Sequence, residues 1–203
     1  MRKQTTKIDE LNILDYFSEM DLPQTEIDKR IAFAMAVKEM ILALFVIARA
    51  EREIEDDFDA MYFENYLVNG YTALLEDYGY KADEYITEYI QNTALEVTQN
   101  TSRHVDDKYY LSESRATLIA VNDSNTINNY TYEESFKAKG FKTKAWVTMK
   151  DSRVRHTHVM ADGEEVGINE YFTVGNCKMR FPCDAINGTA EEVINCRCTC
   201  VYK

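Results

Sequence analysis

Five cysteines, all in the second half of a 203-residue chain, are the side chains most able to do chemistry: Cys177, Cys183, Cys196, Cys198 and Cys200. The last three alternate in the closing stretch VINCRCTCVYK. Alternate side chains of a strand share a face, so a terminal strand would turn all three thiols toward one centre. Zinc takes four nitrogen or sulfur ligands in a tetrahedron. Cys183, two of the terminal three (Cys196, Cys198, Cys200) and His158 would supply them, with Cys177 to spare. The spacing fits no standard zinc finger, so structural zinc, buried free thiols and disulfides all stay open. Disulfides are the least expected. The opening MRKQTTKIDELN has no apolar run after its basic residues, and no secretory signal is expected.

The densest polar stretch is KDSRVRHTHVMADGEE. Read as a strand, it puts His156 and His158 on one face, offset from Arg153 and Arg155. Histidine near Arg155 and Asp162 suits acid–base chemistry on a phosphate ester, the signature of a small phosphodiesterase or nuclease. The plainer reading gives one histidine a structural hydrogen bond and leaves the other in solvent. From Lys137 to His158 there are seven cationic residues (Lys137, Lys139, Lys142, Lys144, Lys150, Arg153, Arg155) and one acid, Asp151. Such a stripe could contact DNA phosphates, dock on an acidic protein surface, or be a solvated face. The chain's net charge of −12 opposes strong nucleic-acid binding by a lone monomer.

The elements that must hold these residues divide the chain in two. Residues 1–100 carry 21 acidic against 9 basic residues, and residues 101–203 carry 14 of each. The acidic half reads as helical. Ile8, Leu11, Leu14 and Phe17 recur at helical spacing. After Pro23 a long helix is expected from Gln24 to about Ile54, apolar on nearly every face and so packed on several sides. Its apolar run from Met40 to Ala48 is shorter than the roughly 20 residues of a spanning helix, and no membrane role is expected. Asn69-Gly70 and Tyr78-Gly79-Tyr80 read as punctuation before a helix over 82–99. LSESRATLIAV reads as a short Ser-capped helix, and Thr131–Glu134 as the capping box of another, closed by Gly140. Beyond Gly140, TKAWVTM, EYFTVGN and VINCRCTCVYK read as strands, with a hairpin-type turn at Asp162-Gly163. The expected fold class is α+β. Residues 1–105 form a helical, acidic region, and residues 106–203 a small module of helix and antiparallel sheet.

Order adds what composition could not. ESRATLIAV, KAWVTMKDSRVRHTHVMADGEEV, YFTV, FPCD and EEVINCRCTCVY resemble, in sequence, the bacteriophage minor head protein family with its Mu-F-like head-morphogenesis domain. The matching positions are Arg115, Trp146, Asp151, Arg153, Arg155, His158, Asp162, Gly163, Phe172, Pro182, Asp184, Asn195, Cys196, Arg197 and Cys198, over roughly residues 112–202. Asn122-Asp123 stands where the family often carries Thr-Glu.

The resemblance implies a non-enzymatic, low-copy protein of the virion interior, in the host cytoplasm before assembly. Its partners would be the portal protein and other head proteins, and the acidic helical region would face them. Some longer relatives carry a toxin enzyme after the Asn-Cys-Arg-Cys strand. This sequence stops five residues beyond Cys198, so no such enzyme is expected. Within the module, Trp146 and Phe172 are expected in the core. Arg153, Arg155 and Asp162 should form a network around the Asp-Gly turn. His158, Cys183, Cys196 and Cys198 should tie the last strand to the hairpin, with Zn2+ as the candidate cofactor.

Overall fold

The computed structural model describes residues 11–55 and 58–203. Ile8 lies outside them, and the first helix is described as α1 (Ile13–Ser18), started by the Asn12 side chain accepting from the Leu14 and Asp15 N–H groups. Helix α2 (Gln24–Glu55) starts after Pro23, whose carbonyl accepts from Glu26 and Ile27. By length and hydropathy, residues Gln24–Glu53 could cross a membrane. In the fold, Phe33, Val37, Ile41, Leu44 and Phe45 are core residues, and the Arg30 side chain is wholly buried. One strip of α2 stays open, with Met35 50% and Val46 63% exposed.

Helix α3 (Ala60–Asp77) runs straight through Asn69-Gly70. The glycine is there for packing, not for a turn. A Cβ at Gly70 would lie 2.2 Å from the Met40 sulfur, so its absence lets α3 approach α2. Gly79, at φ +68°, does end the helix. Helix α4 (Glu84–Arg103) is capped by Asp83, which accepts from the Ile86 N–H.

The two helices expected next are one, α5 (Glu113–Ala138), capped by Ser112 and followed by Gly140 at φ +86°. Thr131 therefore sits inside a helix and caps nothing. The polar run between them, Asp123 to Asn129, is buried. Arg115 locks the start of α5 to the end of α4, donating to Thr101 Oγ1 (2.7 Å) and to the carbonyls of Tyr110 (2.6 Å) and Val97 (3.2 Å).

The remainder is small and mixed, so the fold class is α+β. Strands β1 (Thr143–Val147), β2 (Glu165–Gly167) and β5 (Thr199–Tyr202) form an antiparallel sheet in the order β2-β1-β5; β3 (Phe172–Val174) pairs with β4 (Cys177–Met179) as a hairpin. Short helices α6 (His156–Ala161) and α7 (Ala190–Val193) fill the gaps. Trp146 and Phe172 are fully buried and meet edge-to-face at 5.4 Å. They centre a second hydrophobic cluster, distinct from the one that runs through α2–α5 to Phe181.

One buried acid lies in the helical core. Asp123 accepts hydrogen bonds from the Tyr71 and Tyr89 hydroxyls. Burial lifts its carboxyl from 3.8 to about 6, although both hydroxyls favour the charged form. The folded state thus holds this proton more tightly than the unfolded chain. Its contribution is complete below about pH 4 and lost as pH rises through 6. We expect Asp123→Asn to remove that slope. In urea titrations, wild-type stability relative to the variant should fall by up to about 3 kcal/mol between pH 4 and pH 7.

Candidate metal centre

The stretch around the two histidines is helix α6, not strand. Two residues apart on a helix means nearly opposite faces, so His158 is 1% exposed while His156 faces solvent. The expected shared histidine face does not exist. The terminal strand is also shorter than expected. It begins at Thr199, and Asn195 at φ +57° turns the chain so that Cys196 and Cys198 enter the site from a loop. Cys200 lies within β5 opposite Trp146, near Lys144 and Glu133 and outside the centre. The Cys177 thiol is near Thr189 Oγ1, 3.8 Å away.

His158, Cys196 and Cys198 come together, with ligand atoms all within 4.8 Å of one another. His158 Nδ1 is 3.4 Å from Cys198 Sγ and 3.5 Å from Cys196 Sγ. A tetrahedral zinc ion with ordinary Zn–S and Zn–N bonds has N···S edges of about 3.5 Å, so these residues fit such an ion. Cys183 stands beside this trio without being a member. Its Sγ is 3.3 Å from the Cys196 carbonyl oxygen, and its backbone has φ +65°. Among the described residues, Trp146 Nε1 is buried with no hydrogen-bond partner. The Trp146 ring meets the His158 ring edge-on at 5.5 Å.

The charges follow from this crowding. Hydrogen bonds from Cys183 and Cys198 hold the Cys196 thiol well below its ordinary range, and His158 acts the same way against burial. Cys196 and burial push the Cys183 and Cys198 thiols up. Burial pushes His158 down, but Cys196 outweighs it and the imidazole is held up. Without a metal, both shifts favour the charged forms, thiolate on Cys196 and imidazolium on His158. With a divalent soft cation, the sulfurs would bind as thiolates and the imidazole as the neutral base.

Helix α5 fixes the loops that carry the sulfurs. Asn125 Nδ2 donates to the Tyr16 hydroxyl (2.8 Å) and the Cys196 carbonyl (3.3 Å), and Tyr16 donates to the same carbonyl (2.6 Å). Thr126 donates to the Cys183 carbonyl (2.8 Å), and Asn129 to the Pro182 carbonyl (2.6 Å). Asn122 accepts from the Asn195 N–H (2.9 Å). Arg30 orients the pair of asparagines, donating to Asn125 Oδ1 (3.0 Å) and Asn129 Oδ1 (2.8 Å).

The other expected residues serve the same scaffold separately. Arg197 makes a two-pronged contact with Asp151 (2.7 and 3.0 Å) and reaches Glu19 of α1 (3.0 Å). Arg153 also pairs with Glu19, Arg155 donates to the Ile194 carbonyl, and Asp162 accepts from the Thr148 N–H and hydroxyl ahead of Gly163. The expected network of Arg153, Arg155 and Asp162 is thus three separate contacts. The basic stretch is largely spent internally. Lys144 is buried against Glu133 (2.7 Å), and Lys137 pairs with Glu133 and Glu134. Sequence reasoning missed Glu192, whose Oε2 lies 3.0 Å from His158 Nε2. Glu191-Glu192 at a helix start looks like a solvated pair, and nothing in the spacing separates them.

A buried Cys–His group beside a small antiparallel sheet, with its loops braced by the polar helix α5, makes up this module. The chain belongs to the Phage Mu protein F-like family, whose model matches residues 85–201. Among curated proteins, it is similar to the NAD(+)–arginine ADP-ribosyltransferase EFV of Enterococcus faecalis (strain ATCC 700802 / V583), 30% identical over 104 residues, 49% of this chain. The match spans only 21% of that relative's length. No solved structure matches significantly.

Removing the central clamp tests the scaffold. Asn125→Ala leaves the Arg30 guanidinium short of an acceptor and the Cys196 loop short of a donor, and should cost about 1–3 kcal/mol in chemical denaturation. Asn122→Ala, which loses one bond to the Asn195 N–H and one to the Leu118 carbonyl of its own helix at a half-buried position, should cost clearly less.

Proposed function

We propose that this protein is a structural, non-enzymatic minor head protein of a tailed phage or prophage. In this reading it lies inside the capsid near the portal and acts in head morphogenesis or genome delivery. The observation that carries the reading is the family match over more than half the chain. The first 105 residues are the portal- or assembly-facing part, supported by the apolar strip of α2 that leaves Met35 and Val46 in solvent. The module from residue 106 on is the compact part that α5 links to it. Its His158–Cys196–Cys198 group, with the neighbouring Cys183 drawn in as third sulfur and fourth ligand, is a structural zinc staple.

The phosphodiesterase reading finds little support in the geometry. His158 is buried against sulfur, and Asp162 and Arg155 hold turns. A DNA-contacting role through residues 137–158 is weakened by the internal pairing of Lys137, Lys144 and Arg153.

Co-expression with the portal protein of the same phage should give one co-eluting species in size-exclusion chromatography. Met35→Glu with Val46→Glu should separate the two proteins while leaving the monomer's melting unchanged. Independent elution of the wild-type proteins, or catalytic cleavage of RNA or DNA that His158→Ala abolishes, would overturn the reading.

A further inference from the structure

The proposed zinc staple leaves one feature without a use: a buried carboxylate on the far side of the histidine from the sulfurs. Glu192, at the start of α7, is 9% exposed. Its Oε2 is 3.0 Å from His158 Nε2 and accepts from the Thr157 hydroxyl at 2.7 Å. The other oxygen, Oε1, is closely confined, because a Cβ built on Gly175 would lie 2.5 Å from it. Gly175 also has φ +57°, so both its backbone and the space around it exclude a side chain. Glu192 is therefore held from three directions, and the direction it is held toward is the imidazole.

We propose that Glu192 is the positioning residue of the metal centre, the carboxylate that selects which histidine nitrogen meets the metal. This inference rests on the zinc reading above. With the Nε2 proton donated to Glu192, the Nδ1 lone pair points at the space between Cys196 and Cys198, 3.5 and 3.4 Å away. A carboxylate behind a histidine ligand fixes the ring's tautomer and orientation and makes it a better donor to the metal. The edge-on indole of Trp146 holds the same ring from the side. Carboxylate, imidazole and sulfur pair form one line from α7 through α6 to the loop before β5. A packing role alone would not require the Glu192 oxygen to point at the one nitrogen that faces away from the sulfurs.

The test uses the full chain, stripped of metal and titrated with Zn2+ against a chromophoric chelator, with Co2+ spectra to count thiolate ligands. Wild type should bind one Zn2+ per chain. Glu192→Gln should bind 10- to 100-fold more weakly, with the stoichiometry and the cobalt–thiolate absorption retained. Thr157→Ala, which frees the carboxylate without removing it, should weaken binding by a smaller factor, and it serves if the Gln variant does not fold. Unchanged zinc affinity in these variants, with or without lower metal-free stability, would give Glu192 a packing role and overturn the inference while leaving the zinc site standing. A wild-type chain that takes up no Zn2+ would remove the zinc reading itself.

Discussion

The structure depends on one constraint: the polar face of α5 must be hydrogen-bonded in full, because it is buried. Asn122, Asn125, Thr126 and Asn129 sit at i, i+3, i+4 and i+7, which is one face of a helix. A helix interior does not favour such residues, and burying their amide and hydroxyl groups unpaired would cost about 1–3 kcal/mol each. Here each meets a main-chain group of the loops at residues 182–183 or 195–196. Those loops contain two of the three non-glycine residues with positive φ among the described residues, Cys183 and Asn195. Backbone in that region persists only when its surroundings over-determine it, and α5 supplies them. The sulfurs are brought together by asparagine.

Much of the fold was legible because it follows from local rules. The start of α2 after Pro23, the end of α3 at Gly79, the end of α5 before Gly140 and the strand through Trp146 each follow from the chemistry of single residues. The errors have a common cause. Asn69-Gly70, the run before Thr131 and the Arg–His alternation all look like turns or strands when read locally, and long-range packing decides them otherwise. Gly70 is glycine because Met40 lies across from it. The asparagines of α5 are polar because distant loops need donors. The histidines alternate, but α6 turns one in and the other out.

The candidate site shows the same division. Alternating cysteines and a nearby histidine point from sequence to His158, Cys183 and two of the three terminal thiols; in the fold Cys196 and Cys198 meet His158, and Cys183 stands beside them. Cys200, which shares the alternation, goes elsewhere because the strand starts only at Thr199. Glu192 had no sequence signal, since its role exists only relative to His158. The basic stretch misled in the opposite way. Its charges look like a binding surface in one dimension, yet Lys144 is buried beside Glu133, which also binds Lys137 and Arg180. A buried cation in such a cluster is a structural commitment, since removing its partner would strand it.

The contacts of α1 carry a further consequence. Tyr16 holds the Cys196 carbonyl and Glu19 holds Arg197, so residues 180 positions apart are fastened to each other. That closes residues 16 to 196 into a ring. Unfolding of α1 and displacement of the 196–197 loop must break the same latch, and a binding partner that grips the first helix also grips the loop that carries the sulfurs.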